Sequence, residues 1–186
     1  MKRPSELRAH CLDVVEEVRA LPYRWPGAPD ADAAERDGFG TCASKHALLA
    51  RRLFALGIDS APLIVLGRLV PELLVGDEDL AAGVGLFEVH ECLTVLTPWA
   101  GPLVVDVTWD PPLVRRGLPG ALDWTGESDM PFAIGRAVRA WAVPRDGLRT
   151  AKEAIRARLY RPEERRIRDR CLGRLSEIFA SWRREG

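Results

Sequence analysis

Gly40-Thr41-Cys42-Ala43-Ser44-Lys45-His46-Ala47-Leu48-Leu49 is the stretch on which the reading of this chain turns. It opens a helix near Thr41 that runs to Leu56, with Gly57 in the position of a C-terminal stop. Ala47, Leu48, Leu53, Phe54 and Leu56 make that helix strongly apolar, which predicts a central element largely buried in the core. Cys42 falls in its first turn. A thiol there feels the positive end of the helix dipole, which favours the thiolate. Gly40 leaves space for a substrate carbonyl to approach the backbone, and the Cys42 N–H, not yet used by the helix, can help hold an oxyanion.

Partners for a thiolate are found further along the chain. Residues 87–96 and 103–109 read as two strands joined through Pro98, Gly101 and Pro102. Side chains alternate between the faces of a strand, so Glu88, His90, Cys92 and Thr94 share one face of the first. Val104, Asp106 and Thr108 share one face of the second. The other faces are mainly apolar and belong to the core, which leaves His90 and Asp106 together. If paired residue numbers sum to 196, through a three-residue loop centred on Pro98, Asp106 lies directly opposite His90, with Cβ atoms roughly 4.5–5.5 Å apart. A slip of one residue would put the two on opposite faces. Thiol, imidazole and carboxylate are the parts of a nucleophilic cysteine site: Cys42 attacks, His90 carries the proton, and Asp106 orients the ring.

Around this centre the chain reads as helices, then strands, then helices, an α+β arrangement with one mainly antiparallel sheet. Ser5 is placed to cap a first helix reaching about residue 20 on Leu7, Cys11, Val14, Val15 and Val18. Residues 22–37 are broken by Pro22, Pro26, Gly27 and Pro29 and read as a loop. A strand is expected over 60–70, a mobile acidic connection over 72–85, a loop over 110–133 and a further strand over 137–143. A C-terminal helical segment covers about 148–184, with a turn near Pro162. Ile167, Cys171, Leu175, Ile178 and Trp182 form its apolar stripe, which must pack on the body of the chain or on a second subunit. Arg165, Arg166, Arg168, Arg170 and Arg174 alternate with acids and read as a solvated face, while the loop 123–131 reads either as pocket border or as plain cover.

Composition narrows the function classes. The chain has 186 residues, 47% hydrophobic and 29% charged, and a single domain over 1–186 is expected. Lys plus Arg equals Asp plus Glu at 27 each, so no net field favours nucleic acid or an anionic membrane. The start lacks a signal-like apolar stretch and no apolar run approaches the roughly 20 residues of a membrane span, so a cytoplasmic protein is expected. Cys11, Cys42, Cys92 and Cys171 are scattered, as reduced thiols are.

With these residues in hand, the chain resembles the transglutaminase-like superfamily of papain-type cysteine enzymes. That family opens a core helix with Gly-x-Cys and ends it in Gly-Ile, matched here by Gly40-Thr41-Cys42 and Leu56-Gly57-Ile58. Its histidine lies on the next long strand and its aspartate one hairpin later, often in a Val-Asp-x-Thr-Trp-Asp string, matched by His90 and Val105-Asp106-Val107-Thr108-Trp109-Asp110. The resemblance covers about residues 36–112 and extends, through Gly-Thr-Cys-x-x-Lys-His-Ala-Leu-Leu, to a small bacterial subgroup with no assigned activity. It implies a papain-like core and cysteine-dependent acyl transfer or hydrolysis of a peptide or small-molecule amide or ester, with no cofactor. Many members carry Trp two residues after the histidine, where this chain has Cys92. The oxyanion donor such enzymes take from upstream has Trp25 and Tyr23 as candidates. There is no room for the calcium-binding and flanking β-domains of eukaryotic transglutaminases, so crosslinking in their style is not implied.

Two rival readings use the same residues. Cys42 and His46 share one helix face and His90 and Cys92 one strand face, a set that suits tetrahedral zinc in a non-catalytic binding module on the same fold. Under the triad reading His46 is a core residue or supports the triad from behind. Cys92 is then a neighbour of His90 or a resolving thiol for Cys42.

Overall fold

Thr41 and Ser44 cap each other across the first turn of the central helix. The Thr41 hydroxyl accepts from the Ser44 N–H and the Ser44 hydroxyl accepts from the Thr41 N–H, at 3.5 and 3.0 Å. At the far end Gly57 takes φ +76°, its N–H bonds to Phe54 C=O, and Ile58 N–H reaches back to Leu53 C=O. A left-handed glycine with this bond pair stops the helix and tucks Ile58 against Leu53 in the core. The helix between these ends is Cys42–Ala55. In this computed structural model, which describes residues 4–185, it is the third of six α-helices among those residues, preceded by α1 (Pro4–Ala20) and α2 (Ala31–Asp37) and hence α3.

The fold is α+β with an antiparallel sheet. Strands β1 (Ser60–Arg68), β2 (Phe87–Thr97), β3 (Gly101–Val105) and β4 (Gly135–Ala142) lie in the order β3-β2-β1-β4, each antiparallel to its neighbours. Leu48, Leu49, Ala50 and Leu53 of α3 pack against Leu93, Val95, Leu103 and Val105 of the sheet and against Cys11, Val15 and Val18 of α1. Phe54, read as a core residue, is 74% exposed on the outer side of α3. A second apolar cluster lies under α6 (Pro162–Glu185), whose Cys171, Leu172, Leu175 and Phe179 are buried against Tyr23, Leu69, Leu80 and Leu113. The stripe of α6, with Ile167, Ile178 and Trp182 packed beside it, is therefore covered by its own chain. Among the described residues no helix is long and apolar enough to cross a membrane.

The β2–β3 register differs from the expected one by two residues. Leu93 faces Val105 and Thr97 faces Gly101, so paired numbers sum to 198 and the loop centres on Trp99 rather than Pro98. An even slip keeps every side chain on its face. Strand β3 ends at Val105, four residues early, because side chains from α3 take its next backbone groups. His46 Nε2 accepts the Val107 N–H at 3.0 Å and Lys45 Nζ donates to the Thr108 carbonyl at 2.9 Å. The outer edge of β3 is closed by the loop 123–131, where Asp129 accepts from Val104 N–H and Met130 N–H donates to Val104 C=O. That loop covers the edge and does not border the cavity beside Cys42.

Other segments also depart from expectation. The first helix is already formed at Pro4, the first described residue, so Ser5 lies inside it and does not cap it. Within 22–37, Asp30 caps α2 through the Ala33 N–H and Gly38 closes it at φ +72°. The acidic connection holds two 3-10 turns (Glu72–Leu74 and Glu78–Gly83), with Asp77 and Asp79 paired to Arg174 of α6. Gly83 is required there, since a Cβ would sit 2.5 Å from the Cys171 sulfur. Residues 110–133 include a short α4 (Pro111–Arg115), and α5 (Leu148–Leu159) precedes α6 as expected.

Lys45 joins three parts of the chain. It is fully buried, and its ammonium donates to the carbonyls of Arg19, Leu21 and Thr108 at 3.1, 2.7 and 2.9 Å. Lys45→Met should lower the stability read from urea unfolding by about 3 kcal/mol or more, since three carbonyls lose their donor at roughly 1–3 kcal/mol each. An unchanged urea midpoint would show that these bonds carry no net weight.

Candidate active site

Cys42 is the first residue of α3, and of the four cysteines, all free, it alone is not buried. His90 on β2 donates from Nε2–H to Asp106 Oδ2 at 2.7 Å. Cys42 and His90 line the same cavity and each moves the other's pKa, and with Nε2 engaged by Asp106 it is Nδ1 that is left for the sulfur. The structure thus brings Cys42, His90 and Asp106 together, with His90 hydrogen-bonded to Asp106 and sharing the cavity wall with Cys42. Asp106 is not directly opposite His90. It sits one residue past the end of β3 and reaches the ring diagonally, which the longer register allows.

The string from Asp106 to Asp110 builds the site from below. Asp106 is fully enclosed, and besides His90 it accepts from Ala133 N–H at 2.8 Å, the Thr108 hydroxyl at 2.7 Å and Thr108 N–H at 3.2 Å. Trp109 stacks edge-on against Tyr23, centroids 4.8 Å apart, and its indole N–H donates to Ala133 C=O. Asp110 accepts the Tyr23 N–H at 3.1 Å and two N–H groups of Arg183 from α6. Tyr23, buried beside Cys42, is therefore fixed at its backbone and along its ring. Trp25 also lines the cavity, with its backbone N–H on the Ser176 hydroxyl and its ring under the Arg168 guanidinium.

His46 is excluded from direct chemistry by its partners. A carbonyl only accepts, so its Nδ1–H donates to Cys42 C=O at 2.7 Å, while Nε2 accepts the Val107 N–H. Burial depresses its pKa to about 4, consistent with this neutral ring. With both nitrogens engaged, His46 has no lone pair for a metal, and the tetrahedron of Cys42, His46, His90 and Cys92 does not form. Among the described residues no group of three or more His, Cys, Asp or Glu could hold a metal ion. Cys92 is wholly buried beside Val65 and Ile134, and burial pushes its thiol pKa up. Gly40 serves packing, since a Cβ there would lie 2.6 Å from the Ser44 capping hydroxyl.

Electrostatics favour a thiolate–imidazolium pair. Burial works against the Cys42 thiolate, but the Lys152 ammonium, the His90 hydrogen bond and the imidazolium charge outweigh it and hold the thiol below its usual range. For His90 burial opposes the charged ring, and Asp106, by charge and hydrogen bond, then Cys42 raise its pKa. Lys152 of α5, kept in place by a 2.8 Å ion pair with Glu91, is a contributor that the sequence reading missed. A cavity of about 180 Å³ opens beside Cys42 and His90, walled by Tyr23, Trp25 and Trp109.

No family model matches the chain, and neither does any curated protein or any solved structure.

A lowered thiol pKa means that the thiolate survives as the pH falls. Alkylation by iodoacetamide should therefore select Cys42 and persist at mildly acidic pH, while Asp106→Asn moves its rate profile to higher pH. Equal, slow reaction of all four thiols, read by peptide mass spectrometry, would contradict this.

Proposed function

We propose that this protein is a cysteine-dependent acyl-transfer enzyme of the transglutaminase-like, papain-like type, acting on an amide or ester by hydrolysis or by transfer to an amine. The observation that carries the reading is the His90–Asp106 hydrogen bond beside Cys42, the one cysteine that is not buried, at a helix N-terminus and open to the cavity that His90 also lines. The central helix packed on an antiparallel sheet and the Gly40-Thr41-Cys42 and Val105-Asp106-Val107-Thr108-Trp109-Asp110 strings support the family part of the proposal.

In this reading the Cys42 thiolate attacks the carbonyl carbon and His90 gives its proton to the departing amine or alcohol, leaving a thioester. His90, now neutral, takes a proton from water or an incoming amine, whose attack on the thioester releases Cys42 as thiolate. Asp106 keeps Nε2 protonated and the ring turned so that Nδ1 meets the sulfur in both halves. The oxyanion formed in each attack is met by the Cys42 N–H and by the Tyr23 hydroxyl. Burial, followed by the Cys42 charge, raises the Tyr23 pKa and keeps that hydroxyl a donor.

A p-nitrophenyl ester supplies the test. Wild-type protein should gain one acyl mass on Cys42 with a burst of nitrophenolate, Cys42→Ala should lose both while remaining folded, and Tyr23→Phe should slow the burst about 10²–10³-fold. A full burst from Cys42→Ala would end the assignment.

A further inference from the structure

The wall of the cavity beside Cys42 carries an excess of positive charge. Arg68 from β1, Lys152 and Arg156 from α5, and Arg168 from α6 line it, against the single carboxylate of Glu88. That carboxylate is already taken: Arg168 clasps it through Nε and a terminal nitrogen, and the Tyr160 hydroxyl donates to it at 3.3 Å. Lys152 is matched by Glu91. Among the described residues that leaves Arg68 without a carboxylate and Arg156 shared between Glu88 and the exposed Glu153.

Both are held in place with donors to spare. The Arg68 guanidinium lies 4.4 Å above the Phe87 ring and gives one N–H to the Gly85 carbonyl at 2.8 Å, and among the described residues it has no carboxylate partner. Arg156 reaches Glu88 only at 3.4 Å and otherwise pairs with Glu153, which is itself exposed. Its Nε is buried and has no acceptor. Arg156, which lines the cavity, is thus incompletely paired. Guanidinium groups bind planar carboxylates through paired N–H bonds, more strongly where water is excluded.

We propose, building on the acyl-transfer reading, that the acyl donor carries a carboxylate near its reacting carbonyl and that Arg68 and Arg156 bind it. The substrate class is then an amide or ester of a short acid with a second, free carboxylate. The charge that Arg68 and Arg156 contribute would draw such a donor into the cavity and orient its carbonyl over Cys42.

Iodoacetate and iodoacetamide test this, because they share a leaving group and differ in a carboxylate against a carboxamide. At low salt, Cys42 should be alkylated about tenfold or more faster by iodoacetate, with the ratio falling as salt rises. The ratio should also fall in Arg68→Gln and in Arg156→Gln, where the iodoacetamide rate reports an intact fold. An imidazolium acting alone would leave the ratio unmoved in both variants, and that outcome overturns the proposal. So does a wild-type preference for iodoacetamide, which would leave the triad reading standing. No reaction of Cys42 with either reagent at mildly acidic pH would overturn the triad reading and this proposal with it.

Discussion

A carboxylate sealed from water is costly unless its oxygens are filled with donors, and Asp106 is filled from four directions. The imidazole of His90 comes from β2, the Ala133 N–H from the segment before β4, and the two Thr108 donors from the turn that ends β3. Those contacts hold together the sheet, its exit turn and one wall of the cavity. Burial opposes the ionised form, yet the charge and hydrogen bond of His90 win, with the Ala133 N–H helping, and the Asp106 pKa is lowered. A carboxylate depressed in the folded state stabilises the fold above its unfolded pKa, and that contribution fades as the pH falls through the folded value. The same bonds that stabilise the chain therefore aim His90 at Cys42.

A second buried cation supports this centre from the other side. Lys45 ties the end of α1 to Thr108, next to Asp106, and its neighbour His46 holds Val107 and the carbonyl of Cys42. Two successive residues of α3 thus fix both the strand exit that carries Asp106 and the helix start that carries Cys42. The adjacency of Lys45 and His46 to Cys42 in sequence has a physical purpose: side chains about one helical turn into α3 reach both the Cys42 carbonyl and the backbone just past Asp106.

Much of this was legible in the residues themselves. Helix α3 was bounded by Thr41 and Gly57 because capping and left-handed termination are local effects. The shared face of His90 and Asp106 followed from strand parity, which a two-residue change in register cannot disturb. The register was misjudged because the loop rests on Trp99, whose indole bonds to Gly126 far along the chain. Helix α2 was hidden by the prolines before it, although Asp30 and Gly38 mark its ends. Lys152, Arg156 and Arg168 were unreadable as cavity residues, because α5 and α6 reach Cys42 only through tertiary packing. Arg168 belonged to a series that reads as solvated until Glu88 is brought beneath it.

The central claim is that Asp106 holds His90 as an imidazolium beside a Cys42 thiolate. Nitrogen-15 NMR of the His90 ring across a pH titration tests it most directly. Both ring nitrogens should stay protonated through neutral pH in the wild-type protein, and the titration should move to lower pH in Asp106→Asn and in Cys42→Ala. A ring that is neutral at pH 7 in the wild type, with a titration that neither substitution moves, would contradict the account.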